Sequence, residues 1–274
     1  MGFLLNYLLR KNILLALLIL ALTAGCKKSG IDGDENKGEE QAAAGGQEEE
    51  GFVEIFDGES LDNWQGDSTY WSVRDGRLIG QITPTTLLKN NSFIVWQGGT
   101  PGDFELKAEF RISETGNSGI QYRSEKLEDV PNALRGYQAD IDGRNNYTGQ
   151  NYEERGRTTL AYQGEKAIVD TQPNAEQEGS LRANVKNNAW TVREVTESLG
   201  DQDSLRSLMK SNDWNTCHII AKGNRLQHFI NGVLISDVTD NDIVNRKMKG
   251  MLGVQVHVGP PMKVEYRNIR LKEL

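Results

Sequence analysis

The sequence predicts an all-β protein, a two-sheet antiparallel β-sandwich or jelly roll with decorated loops and at most one short helix. Three observations carry this. Short segments alternate apolar and polar residues at period two, Asp-Gly and Asn-Gly dipeptides separate them, and helical periodicity is scarce. No internal repeat is visible, and prolines are few, six in 274 residues.

The chain opens with a basic pair, Arg10-Lys11, an apolar run, Ile13–Leu22, and then Thr23-Ala24-Gly25-Cys26. That run is too short to span a bilayer but suits the core of an export signal. Small residues before a lone Cys resemble a bacterial lipobox, so residues 1–26 read as a lipoprotein signal peptide with Cys26 the site of lipid attachment. An ordinary signal peptide, with Cys26 incidental, is the alternative. Residues 27–50 hold no aromatic residue, a single large aliphatic one in Ile31, and end in Glu48-Glu49-Glu50. Such a segment cannot bury enough apolar surface to offset its ordering entropy and is expected to be an acidic flexible tether. Residues 51–274 are long enough for one sandwich domain.

Within that domain the strands follow in order. Phe52–Phe56 alternates before the Asp57-Gly58 turn. Trp71-Ser72-Val73, Asp75-Gly76 and Leu78–Gln81 read as a hairpin. Phe104–Ile112 alternates Phe, Leu, Ala, Phe, Ile against Glu, Lys, Glu, Arg. Trp214–Ala221 leads through Gly223-Asn224 to Leu226–Ile230, and Asn231-Gly232 returns the chain along Val233–Ser236, a strong hairpin signal. Val264–Leu271 is the last strand. Thr196–Met209 is the best helical candidate, either one short helix or a long decorated loop.

Three further strands carry long, directional polar groups on one side. In Gly253–Met262 (GVQVHVGPPM) Val254, Val256 and Val258 oppose Gln255 and His257. In Gly136–Ile141 (GYQADI) Tyr137, Ala139 and Ile141 oppose Gln138 and Asp140, and in Gly119–Arg123 (GIQYR) Ile120 and Tyr122 oppose Gln121 and Arg123. Alternation puts each polar set on one face. That face is either the ordinary wet side of an antiparallel sheet or a surface for a hydroxylated ligand. A generic solvent face would favour Lys, Glu and Thr over this Gln/Arg/Asp/His set.

Charge and motif content exclude several classes. The net charge of −8, with no basic patch interleaved with aromatics, argues against a nucleic-acid partner. No phosphate-binding glycine loop, paired-cysteine zinc spacing or nucleophile elbow is present. With Cys26 lipidated, Cys217 is the only thiol left, and its apolar run makes it a packed one. His218 and His228 have apolar strand neighbours and read as structural. His257 precedes the rigid Gly259-Pro260-Pro261 turn and reads as functional. Tyr147–Arg157 (YTGQNYEERGR) crowds Tyr152, Glu153, Glu154, Arg155 and Arg157 into a Gly-punctuated loop. It offers either acid/base and hydroxyl-orienting groups or an ordinary ion-paired surface.

Taken together, Phe56-Asp57-Gly58 with Leu61 and Trp64, Trp71–Gly80, Phe104–Ile112, Asn117–Arg123, Gly136–Ile141, Trp214-Asn215, Asn231-Gly232 and Gly253–Leu271 resemble the 3-keto-disaccharide hydrolase domain family over essentially all of 51–274. The resemblance implies a concanavalin A-like jelly roll on an exported or lipid-anchored bacterial protein of the cell envelope, acting on glycosides whose sugar carries a ketone at C3. A C3 ketone acidifies the C2 hydrogen. A base removes it, the C1 leaving group departs, and water adds back for net hydrolysis. His257 is then the expected base or acid, Glu153 a second proton-transfer group, and Arg157 and Arg123 the stabilisers of negative charge. Gln121, Gln138, Asp140 and Gln255 would hold substrate hydroxyls. A divalent cation on Asp140, Glu153 and His257 is conceivable, although no spacing rule supports it. The expected partners are a carbohydrate substrate and, through the lipid anchor only, a membrane. A non-catalytic carbohydrate-binding module and a structural envelope protein are the competing readings. Exposed aromatics on the binding face would favour the module; here most aromatics fall on the inferred packed sides, which favours chemistry.

Overall fold

The computed structural model describes residues 49–171 and 193–274. The readings of a signal peptide, of Cys26 and of most of the tether therefore lie outside the described residues. In chain order the first strands are β1 (Val53–Glu54), β2 (Trp64–Gln65), β3 (Trp71–Arg74), β4 (Arg77–Ile82), β5 (Ser92–Trp96) and β6 (Phe104–Ile112). They are followed by β7 (Asn117–Lys126), β8 (Leu134–Asp142), β9 (Asn151–Glu154), β10 (Thr158–Ala161) and β11 (Glu165–Val169). Then come β12 (Arg193–Ser198), α1 (Gln202–Ser207), β13 (Asn215–Lys222), β14 (Arg225–Ile230), β15 (Val233–Asp240), β16 (Met251–Val256) and β17 (Met262–Glu273).

These strands form two sheets, as the sequence predicts. One runs β12-β11-β15-β14-β13-β6-β17-β4-β3 with β1 paired to β17, and the other runs β10-β9-β8-β7-β16-β5-β2. The predicted hairpins close on turns with positive φ at both central residues, Asp75-Gly76 (49° and 73°) and Asn231-Gly232 (50° and 81°). Those dihedrals match the right-handed twist of the flanking strands. Strand β6 buries every second residue, from Phe104 to Ile112. Its partners β13 and β17 do the same over much of their length, so Phe104, Leu106, Phe110, Ile219, Val264 and Tyr266 meet Ile120, Tyr122, Ala139, Ile141, Val254 and Val256 of the second sheet in one core. Cys217 lies in that core and burial pushes its thiol up to about 12, in keeping with the packed cysteine expected.

Four details differ from the expectations. One pair, β11 with β15, is parallel. Thr196–Met209 divides into the end of β12 and the single turn-and-a-half of α1, whose N-cap Asp201 accepts the Ser204 amide at 3.0 Å. Tyr147–Arg157 is not loop throughout, since Asn151–Glu154 pairs with β8. The alternation of the valines stops at Val256, for Val258 is exposed and His257 follows the strand rather than belonging to it.

Candidate functional site

The outer face of the seven-stranded sheet carries the candidate site. Pairing places Gln121 of β7 opposite Gln138 of β8, and Gly253 of β16 on the other flank of Gln121. On β9, Tyr152 lies opposite Gln138 and Glu154 opposite Gly136. Period two then sends Gln121, Gln138, Asp140, Tyr152, Glu154 and Gln255 outward. The register needs Gly119 beside Gln138, because a Cβ there would come within 2.5 Å of the Gln138 carboxamide carbon.

A cavity of about 370 Å³ opens on this face, lined by Gln138, Asp140, Gln150, Tyr152, Glu154 and His257, with Asn117, Thr159, Tyr147 and Tyr162 around them. That volume suits a small ligand. Asp140 is gripped by two carboxamides, Gln138 Nε2 at 2.7 Å and Gln150 Nε2 at 2.5 Å. Burial nevertheless pushes its carboxyl up to about 7, and the charges of Glu154 and Asp142 add to that rise. Burial also raises the pKa of Glu154, against Asn91 Nδ2, which donates to it at 3.1 Å, and against the nearby charges of Arg155 and His257. Asn91 additionally accepts the Val258 amide at 2.9 Å, so one side chain ties Glu154 to the His257 segment. His257 Nδ1 lies 2.6 Å from the Val258 carbonyl. A carbonyl can only accept, so Nδ1 carries a hydrogen, and of the two ring nitrogens Nε2 is the one left to take up a proton.

Several buried polar atoms beside the cavity have no partner among the described residues: Gln121 Oε1, Gln138 Oε1, Gln150 Oε1 and both polar atoms of Gln255. Gln255 lies close enough to Glu154 to favour its ionised form without a hydrogen bond of ordinary geometry. Orphaned buried groups are costly in an otherwise satisfied interior. Their concentration here fits a site completed by a hydroxylated ligand or by water.

The structure divides the sequence-predicted residues into two groups. Gln138, Asp140 and His257 line the cavity, and Gln121 and Gln255 lie beneath the same face. Glu153, Arg157 and Arg123 do not join them. Period two turns Glu153 inward, where it holds fully buried Arg157 with Oε2 on Nε at 2.7 Å and Oε1 on Nη2 at 3.0 Å. Asp240 and Asp242 complete that cage at 2.6 Å and 3.2 Å. Burial alone would lower the Arg157 pKa, but Glu153 and Asp240 outweigh it and hold the guanidinium charged. Arg123 sits at a bulge with φ 45°, which breaks the alternation. Its guanidinium bonds the carbonyls of Gly102 and Gly223 and the Asp103 carboxylate at 2.9, 2.7 and 3.0 Å. Among the described residues no three His, Cys, Asp or Glu side chains converge as a metal-ligand set. Asp140, Glu153 and His257 cannot form one, since Glu153 faces the opposite way.

Sequence reasoning weighed Glu154 and Tyr152 only as members of the crowded Tyr147–Arg157 stretch and singled out Glu153 instead, and it missed Gln150 and Asn91. For the first two a signal existed: read as a strand, NYEE alternates Asn151 and Glu153 against Tyr152 and Glu154. Gln150 and Asn91 lie just outside strands, where period two says nothing about direction.

No curated protein matches the sequence. Among solved structures, a proposed glycosyl hydrolase from Parabacteroides distasonis is similar at 17% identity and TM-score 0.48, covering 81% of this chain and 99% of its own. The carbohydrate-binding module CBM66 from Bacillus subtilis is similar at 14% identity and TM-score 0.47, over 77% of this chain and 96% of its own. A Bacillus licheniformis β-glucanase reaches 11% identity and TM-score 0.44, over 81% and 97%. Residues 51–272 match a described family, and the chain belongs to it: the 3-keto-alpha-glucoside-1,2-lyase-like domain family.

Proposed function

We propose that the protein cleaves 3-keto-glycosides by elimination followed by hydration. The observation that carries the reading is the meeting, in one cavity, of two carboxyls raised by burial and a histidine whose Nε2 is left to take up a proton. The carboxamide atoms without partners lie beside them. His257 Nε2 takes the C2 proton made acidic by the neighbouring ketone, and the electron pair moves towards the C3 oxygen as an enolate. Glu154, beside His257, holds the imidazolium so formed. Asp140, near 7, is protonated often enough to hand its proton to the C1 leaving oxygen as the C1–O bond breaks. The enolate pair returns as the C1–O bond breaks, leaving a C1=C2 bond. Water then adds, its hydroxyl to C1, its proton to the Asp140 carboxylate and the His257 proton to C2, which gives net hydrolysis and restores both groups. Among the described residues no arginine or lysine lines the cavity. The enolate oxygen would instead accept hydrogen bonds from carboxamide N–H groups, which are worth most where water is excluded.

A carbohydrate-binding module is the second reading. It is favoured by Tyr147, Tyr152 and Tyr162 around the cavity, with Tyr147 half exposed. The experiment that separates the two incubates the protein in heavy water with glycosides matched except for oxidation at C3. Release of the aglycone from the keto substrate alone, with deuterium at C2, supports elimination. No release, with sugar still raising the melting temperature, supports the module. From sequence alone we further propose that Cys26 anchors the protein in the bacterial cell envelope; C26S should then leave the membrane fraction.

A further inference from the structure

We propose that His228 is a positioning residue for Asp140, acting from the other sheet through the carbonyl of Gln150. His228 belongs to β14, is fully buried, and lines no part of the cavity. Its Nδ1 lies 3.2 Å from the Gln150 carbonyl oxygen. Since that oxygen only accepts, Nδ1 carries the proton and Nε2 must accept, which it does from the Tyr122 hydroxyl at 2.8 Å and from Asn151 Nδ2 at 3.3 Å. The tautomer is thereby set. The same Gln150 carbonyl receives the Asp140 backbone amide at 3.3 Å, while the Gln150 side chain donates to the Asp140 carboxylate at 2.5 Å. One imidazole therefore fixes the residue that holds both the backbone and the carboxylate of Asp140.

The ring keeps this role across the working range. Burial lowers the His228 pKa to about 4, and Asp237 is the charged group that works against that fall. Asp140 itself faces the Glu154 and Asp142 carboxyls and the Gln138 and Gln150 carboxamides. Loss of the Gln150 hydrogen bond would therefore leave its ionised form less favoured and move its titration upward. The inference rests on the reading that Asp140 works in the cavity, but its primary test needs no substrate.

The test follows the Asp140 carboxyl by carbon-13 NMR titration of the full-length protein, with folding verified by circular dichroism. H228L removes both ring functions. H228Q keeps a polar group near the Nε2 position but not the Nδ1 donor, and H228N keeps a donor near Nδ1. H228L and H228Q should raise the Asp140 midpoint by about half a pH unit or more, and H228N should stay within about 0.2. With 4-nitrophenyl 3-keto-α-glucoside as probe, H228L should lower kcat about tenfold with KM within about twofold. Combined with Q150A, H228L should cost much less than the product of the two single effects. If H228L does not fold, the H228Q and H228N pair decides. An unmoved Asp140 midpoint in H228Q, or equal midpoints in H228Q and H228N, would overturn the inference. Wild-type protein that releases no nitrophenol while the midpoint still moves would overturn the catalytic reading and leave the positioning role standing.

Discussion

The two faces of β9 treat their carboxylates in opposite ways. Glu153 points inward and spends both oxygens on Arg157, which is further enclosed by Asp240 and Asp242. Glu154, one residue later, points outward to a cavity where, among the described residues, Asn91 is its one hydrogen-bonding side chain and Arg155 stands off at 3.8 Å. The inner network is closed: Tyr137 donates to Asp240 at 2.5 Å, and the Asp242 carboxylate also takes the Asn245 carboxamide at 2.8 Å. The outer one is open, with its carboxyls pushed towards protonation and carboxamide atoms left without partners. Buried polar groups that satisfy one another hold a fold, whereas those that do not are available to a ligand. Charge content alone does not separate the two, since both faces are rich in it.

The largest break in this comparison should come from R157L. It strands three buried carboxylates, and removing one partner of a buried pair costs about 3–5 kcal/mol. Chemical denaturation should show that loss, and activity should fall only as far as the folded fraction does. H257A should do the reverse. Its kcat on a 3-keto-glycoside should fall about a hundredfold or more, while its stability stays within about 1 kcal/mol of wild type. A fall of less than about threefold would remove His257 from the chemistry.

D140N should affect both properties, with a pH signature. The Asp140 carboxyl sits at about 7 in the folded protein against an ordinary 3.8. As pH rises the unfolded chain loses this proton first, so the wild-type protein loses stability between roughly pH 4 and pH 7 and does not regain it above. D140N removes that loss. It should match wild type near pH 4, exceed it by about 1–4 kcal/mol at pH 8, and lose the limb of the activity profile near 7. The smallest effect should come from Q255L. Both polar atoms of Gln255 lack partners among the described residues, and replacing an unsatisfied group by an apolar one of similar shape is neutral or stabilising by about 1 kcal/mol. Substrate should bind more weakly, with KM raised about five- to tenfold.

Much of this was legible in the sequence because it depends on period two and on turn residues. Phe104–Ile112, the Asn231-Gly232 hairpin and the outward set Gln121, Gln138, Asp140 and Gln255 all follow from alternation within single strands. What was not legible depends on where alternation stops. Arg123 lies one step past Tyr122 at a bulge, so its side chain leaves the face its neighbours share. The choice between Glu153 and Glu154 turns on whether Asn151–Glu154 is a strand and which strand it pairs with, a contact set by β8 rather than by local composition. His228 read as a structural histidine, and its surroundings agree. Its tie to the Gln150 carbonyl crosses the whole sandwich and leaves no mark in its own segment.

The measurement that tests the account most directly compares E153Q with E154Q, two substitutions of one chemistry on adjacent residues. Each is assayed for unfolding free energy and for aglycone release from a 3-keto-glycoside. E153Q should lose about 2–3 kcal/mol of stability and keep the turnover of its folded molecules. E154Q should hold its stability within about 1 kcal/mol and lose turnover at least tenfold. The opposite pattern, with E153Q stable and inactive and E154Q unstable and active, would place the chemistry on the inner face and contradict the account.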